Sequence, residues 1–249
     1  MADETRKKKK GKMPLPILVV LVICVVVLGV SIWQLSTIFL EYKAGTDEYD
    51  GLQTYESGDP AEEVVQTAAE DGENADDTEA EDASEERVQR VAISELQAQN
   101  SDTVGWIQIP GTQISYPLMH TTDDSYYLNH TFSKKVNGAG SIFVETLNSA
   151  DFTDLHTIIY GHNMKNGSMF GTLRKFYEDE VYEKAPYFWI YTPDKIYRYD
   201  IFSCAEVAVD SLAYQITFSE EGSFDQFIRD AYSRSVVKGN DIKVTAEDK

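Results

Sequence analysis

The sequence predicts a mostly β domain with helices at its edges, carried behind one membrane-spanning helix and an acidic spacer. Three observations predict it. Residues 13–40 hold no charged side chain, and residues 17–30 are almost continuously apolar. Residues 41–86 are dense in Asp and Glu and poor in large apolar side chains. From residue 87 onward, short apolar runs alternate with turn residues, which is the pattern of strands and hairpins.

Charge sets the topology of the first part. The chain of 249 residues carries a formal net charge of -20, from 42 acidic and 22 basic residues. That excludes nucleic acid as a natural partner, because a phosphate binder needs a basic face. The basic residues Arg6, Lys7, Lys8, Lys9, Lys10 and Lys12 crowd the start. Residues 1–12 therefore read as a cytoplasmic basic tail and residues 13–40 as a transmembrane anchor, with everything beyond outside the cell. As a helix, residues 17–40 would reach roughly 36 Å, enough to cross a hydrocarbon core of about 30 Å. Trp33 and Tyr42 stand where interfacial aromatics are found. The alternative, a cleaved signal peptide, calls for a shorter apolar run and an Ala-x-Ala-like site, which the sequence lacks. Cys24 reads as a lipid-facing or packing residue.

Residues 41–86 cannot bury enough apolar surface to offset their ordering entropy and read as a disordered acidic linker. As a flexible coil they would reach on the order of 40 Å. The domain spans residues 87–249. Val88, Val91, Ala92 and Leu96 recur at helical spacing, so residues 85–99 read as an amphipathic helix. Residues 106–109 and 114–119 read as strands around the Pro110-Gly111 turn, and residues 141–144 and 157–160 as further strands. Residues 188–192 and 195–204 flank Pro193-Asp194, a hairpin turn. Residues 224–235 read as a helix with Phe224, Phe227, Ile228 and Ala231 on one face and Ser223 as its N-cap. Residues 242–244 read as the start of one more strand.

Of the four histidines, His120, His130 and His156 lie in polar, loop-like contexts. His162 follows an apolar strand directly, between Gly161 and Gly167. A side chain there is held by rigid scaffold yet reachable from solvent, which suits a general acid or base. On the residues alone, a satisfied structural histidine is the default reading. Cys204, in a strand-like run without an adjacent basic residue, reads as a small core residue rather than a nucleophile. Arg174, Arg198, Arg229 and Arg234 read as surface residues. Nothing in the spacing of His and Cys suggests a metal site, and no cofactor is implied.

Four blocks, in order, resemble the class B sortase family. The first is residues 104–117 (Val-Gly-Trp-Ile-Gln-Ile-Pro-Gly-Thr-Gln-Ile-Ser-Tyr-Pro). The second joins Tyr127, Leu128 and Phe132 with residues 140–143 (Gly-Ser-Ile-Phe). The third is residues 160–164 (Tyr-Gly-His-Asn-Met) with Gly167, Met169 and Phe170. The fourth is residues 197–203 with the helix after them. The resemblance runs from about residue 85 to the chain end and sits behind an N-terminal anchor, as in that family.

The resemblance implies a sortase-like closed β-barrel with peripheral helices, and a cysteine transpeptidase. In such enzymes a thiolate attacks the Thr carbonyl of a sorting motif near the C-terminus of an exported protein. An amine of peptidoglycan or of a pilin then resolves the thioester, a histidine moves the protons and an arginine stabilises the oxyanion. By position His162 is that histidine, Leu128 and Tyr160 line the substrate groove, and Asp124 stands where some members have Asn. The implied setting is the membrane of a Gram-positive type bacterium. In the family the cysteine ends the strand after the last helix, in a Thr-Leu-x-Thr-Cys motif absent from this sequence, and the arginine follows. The expectation is a chain that stops before its nucleophile, is inactive as it stands and has an open sheet edge. The alternatives are a catalytically dead, membrane-tethered module that still binds sorting peptides, and a non-functional remnant.

Overall fold

The computed structural model describes residues 14–57, 91–178, 181–220 and 222–237. The expected basic tail, the linker from residue 58, the first part of the 85–99 helix and the 242–244 strand lie outside the described residues. The chain divides into two compact units between Ala44 and Gly45.

The first helix, α1 (Leu15–Leu52), is long and apolar enough by length and composition to cross a membrane. Its side chains from Leu15 to Tyr42 are exposed on every face, as a helix shaped for lipid requires. The expectation that a disordered linker begins at residue 41 is corrected here. The helix runs on to Leu52, and a 3-10 turn continues it through Gln53–Ser57. The physical reason is a stripe at i, i+4 and i+7. Gly45, Tyr49 and Leu52 are buried in the second unit, while Asp47 and Asp50 between them face out. Acidic density hid an amphipathic turn.

The second unit is built on one six-stranded sheet of order β4-β3-β2-β1-β5-β6. A short helix, α2 (Ile93–Gln99), buries Ile93 and Leu96 and leads into β1 (Thr103–Gln108). Ala92 is its N-cap, so Val91 and Ala92 precede the helix that their spacing suggested they belonged to. β1 and β2 (Ser115–Met119) form the expected antiparallel hairpin, with Trp106 opposite Pro117 and Ile107 opposite Tyr116. The turn closes through Ile109 N–H donating to the Ile114 carbonyl at 2.9 Å, with Gly111 at φ 76. β2 then pairs in parallel with β3 (Ile142–Val144), which forces residues 120–141 to cross over outside the sheet. β3 pairs antiparallel with the two-residue β4 (Ile159–Tyr160). Residues 157 and 158 fall short of the expected strand: Ile158 N–H donates to Asn148 Oδ1 at 2.9 Å, while its carbonyl accepts from Glu145 N–H at 3.0 Å.

The short helices α3 (Lys175–Glu178) and α4 (Val181–Lys184) lead to β5 (Tyr187–Tyr191), which packs on the other side of β1. β6 (Ile196–Asp200) completes the hairpin predicted at Pro193-Asp194. Its exposed–half-buried alternation marks an edge strand. β6 ends at Asp200, so Cys204 lies beyond the strand and not within it. The last described helix, α5 (Ser223–Arg234), follows the prediction within a residue. Its cap does not. Gly222, at φ 76, occupies the N-cap, and Ser223 is the first helical residue, its hydroxyl buried and without a partner among the described residues. The fold is thus mostly β with peripheral helices. Its sheet is a curled half-barrel whose edges β4 and β6 are not paired with each other among the described residues.

The core fills both sides of β1 and β2. Trp106, Leu96, Leu118, Met119 and Ile142 are 0% exposed, and Tyr127, Ile114, Met169 and Ile190 are nearly so. Trp106 satisfies its indole by donating to Ser115 Oγ at 2.9 Å. Leu118 faces Gly105 across the hairpin and Ile142 across the parallel pair. Leu118→Ala is expected to cost about 2–5 kcal/mol, read as a lowered urea midpoint with an unchanged slope.

Candidate active site

The site is assembled from two segments that the sheet brings together: the end of β4 and the crossover between β2 and β3. β4 delivers Tyr160, Gly161 and His162 in succession. Gly161 is required there, because a Cβ would run into the Ile142 side chain and come within 2.8 Å of the Phe170 ring. The chain then turns back on itself. Phe170 N–H donates to the His162 carbonyl at 2.9 Å, and Asn163 bridges Met169. Met169 holds a left-handed φ of 51 while 1% exposed, and its N–H donates to the Tyr116 hydroxyl at 3.1 Å. A strained residue so tightly determined belongs to a turn whose shape matters.

From the crossover comes the 3-10 turn Tyr126–Leu128. Its last carbonyl, Leu128 O, lies 2.7 Å from His162 Nε2. A carbonyl only accepts, so Nε2 carries the proton. The neutral ring is then the Nε2–H tautomer, with Nδ1 bare. Among the described residues Nδ1 has no hydrogen-bond partner. The Leu128 side chain itself is exposed.

Tyr160 and Asp124 are joined through two residues that the sequence reading did not single out. Tyr160 donates its hydroxyl to Glu145 Oε2 at 2.7 Å. Burial first, and the Glu145 carboxylate second, push the Tyr160 phenol well above its usual range. Thr146 donates its N–H to Asp124 Oδ1 at 2.8 Å and its hydroxyl to Asp124 Oδ2 at 3.0 Å. Both Asp124 oxygens are therefore engaged in bracing the wall of the site. The signal for Glu145 was present: an acid placed directly after the fully buried strand β3 needs a partner.

All four residues expected at the site thus fall on two adjoining segments, as two hydrogen-bonded sets: His162 with Leu128, and Tyr160 with Asp124 through Glu145 and Thr146. The other histidines are engaged elsewhere. His130 Nδ1 meets the Tyr126 carbonyl at 2.8 Å and stacks on the Tyr126 ring. His156 Nδ1 meets the Gln215 carbonyl at 2.7 Å, beside Phe227. Nε2 of His120 is buried without a partner among the described residues. The Cys204 thiol is half-buried, and burial raises its pKa, the reverse of what a nucleophile needs. Its backbone is tied to Ser235 Oγ and to Val236 N–H. Arg198 lies over the Tyr187 ring at 4.3 Å, and Arg229 bonds Gln226 at 3.1 Å.

Comparison with known proteins gives one consistent answer. No family model matches the chain. Sortase B of Listeria monocytogenes serovar 1/2a is 36% identical over 160 residues, covering 64% of this chain and 65% of that protein. The match therefore spans just under two thirds of that relative. The solved structure of sortase B from Listeria monocytogenes aligns with a TM-score of 0.57 at 36% identity, over 63% of this chain and 89% of that one. Sortase B from B. anthracis in complex with AAEK1 aligns with a TM-score of 0.66 at 28% identity, over 84% of this chain and 88% of that one.

Tyr160 braces the site as a neutral donor. Its folded pKa is raised above that of a free phenol, about 10, so its contribution is fully present below that pH and is lost as the pH climbs further. Tyr160→Phe leaves Glu145 without its donor and is expected to cost about 1 kcal/mol at neutral pH. It should also flatten the loss of stability at alkaline pH. Urea melts of the full chain in detergent, run from neutral to strongly alkaline pH, check both.

Proposed function

The chain belongs to the class B sortase family, and from that premise we propose that its domain is built for sortase-type transpeptidation outside a membrane. The anchor is α1, with the basic N-terminal tail in the cytoplasm and the domain on the extracellular face of a Gram-positive type cell. The substrate is an exported protein with a C-terminal sorting motif, and the acceptor is an amine of peptidoglycan or of a pilin.

His162 is the general acid/base. The observation that carries this reading is the hydrogen bond from Nε2 to the Leu128 carbonyl. It leaves Nδ1 to do the chemistry. When the thiolate adds to the threonine carbonyl and the C–N bond breaks, protonated Nδ1 gives its proton to the departing amine. When an acceptor amine attacks the thioester, bare Nδ1 takes the proton from nitrogen as the C–S bond breaks and the thiolate leaves. Leu128, with its exposed side chain, and Tyr160 line the groove, and Asp124 holds the groove wall through Thr146.

The nucleophile is neither of the two cysteines in these 249 residues. Cys24 sits in the apolar helix, and burial keeps the Cys204 thiol protonated. Neither of these two thiols is placed to form the thioester.

The test uses the full chain in detergent with a threonine-containing sorting peptide and an amine acceptor. The expected result is no cleavage and no transfer, with peptide binding that weakens about tenfold in Leu128→Ala, the effect of losing one well-buried apolar contact. Cleavage that disappears in Cys204→Ser would overturn the assignment of the thiol. Binding indifferent to Leu128→Ala would overturn the groove.

A further inference from the structure

The end of α1 reaches the site through a short chain of contacts. Tyr49 is 3% exposed. Its hydroxyl donates to the Gly140 carbonyl at 2.6 Å, accepts from Phe132 N–H at 3.3 Å and lies 2.9 Å from Ser141 Oγ. Ser141 in turn donates its N–H to the Tyr127 carbonyl at 2.9 Å and its hydroxyl to the His130 carbonyl at 2.9 Å. One buried hydroxyl thus gathers both arms of the loop that carries Leu128.

Gly140 makes the connection direct. It holds φ at 59, and a Cβ there would stand 2.7 Å from the Leu128 carbonyl oxygen and 2.5 Å from that of Tyr127. The backbone that Tyr49 grips is therefore packed against the oxygen that accepts from His162 Nε2. Glu48, the neighbouring residue, holds the same loop from outside, accepting from Ser133 N–H at 2.8 Å and Thr131 Oγ1 at 3.0 Å. Within β4 itself nothing orients the histidine ring, since the strand is two residues long and His162 lies past its end.

We propose that Tyr49 is a positioning residue for His162: its hydroxyl sets Gly140, Gly140 sets the Leu128 carbonyl, and that carbonyl sets the imidazole. The function of the contact rests on the reading of His162 as the acid/base, but the contact itself does not. A hydroxyl that only stabilised the fold would affect melting and leave the ring alone.

The experiment follows the His162 Nε2 proton by NMR in the full chain, labelled with 15N-histidine in detergent, with His162→Gln to assign the signal. Tyr49→Phe keeps the ring and removes the hydroxyl. Exchange of the Nε2 proton with water is expected to quicken about tenfold, the effect of loosening one hydrogen bond. Tyr182→Phe is the control. It removes a hydroxyl bonded to the Ile201 carbonyl at 2.8 Å, and it should lower the melting temperature without changing that exchange. If Tyr49→Phe exchanges like the parent, or if Tyr182→Phe quickens exchange as much, the proposal is wrong. Should Tyr49→Phe fail to fold, Ser141→Ala interrogates the same junction, and unchanged exchange there overturns the proposal equally. Faster exchange in Tyr49→Phe, with a His162 signal indifferent to added sorting peptide, would keep the coupling and remove the functional reading instead.

Discussion

One hydrogen bond, from His162 Nε2 to the Leu128 carbonyl, is the constraint on which the candidate site depends. A histidine two residues past the end of a minimal strand has no rotamer imposed by its own backbone. Its ring is fixed only if an acceptor stands ready on another segment. That acceptor must itself be held, because a carbonyl at the end of a 3-10 turn is otherwise free to turn to water. Much of the polar architecture of the second unit serves this end.

The arrangement follows from topology. A parallel pair cannot be closed by a tight turn, so β2 and β3 oblige residues 120–141 to travel outside the sheet. Such a segment carries backbone groups that the strands cannot satisfy, and side chains meet that need. Asn100 donates to the Phe132 carbonyl at 2.7 Å and to the Tyr127 hydroxyl at 2.9 Å, which donates to Asp102. Asp102 also pairs with Lys134 at 2.8 Å, and it stays ionised more readily than a free carboxylate because of that lysine and the tyrosine, in spite of the burial that opposes both. Tyr49 enters from α1 and bonds the Gly140 carbonyl and Phe132 N–H of the same segment. Apolar packing around Trp106, Leu118 and Ile142 makes the platform rigid; polar bonds aim the loops above it.

Much of this was legible in the residues. The hairpins at Pro110-Gly111 and Pro193-Asp194, the α5 helix and the strand before His162 all follow from period and turn chemistry, since each is decided by local preference. The blocks around Trp106, Leu128 and His162 identified the family and brought the site residues to adjoining segments. What escaped was decided by partners distant in sequence. Tyr49 sits amid Asp47, Glu48 and Asp50, and only its burial against a loop some ninety residues away shows that the stretch is helix rather than spacer. Glu145, an acid after a buried strand, called for a partner, but which partner it had was decided by the pairing that put Tyr160 beside Phe143. Ser223 looked like a cap because serine favours that role, yet Gly222 took it through a left-handed φ that composition does not reveal.

The measurement that bears most directly on this account is the tautomer of His162 in the unaltered chain, read from long-range 1H–15N correlations of the histidine rings above the pH at which they titrate. The account predicts a ring protonated at Nε2 and bare at Nδ1, its Nε2 proton protected from solvent by the Leu128 carbonyl. A ring protonated at Nδ1, or one exchanging between both forms at the rate of a free imidazole, would contradict it.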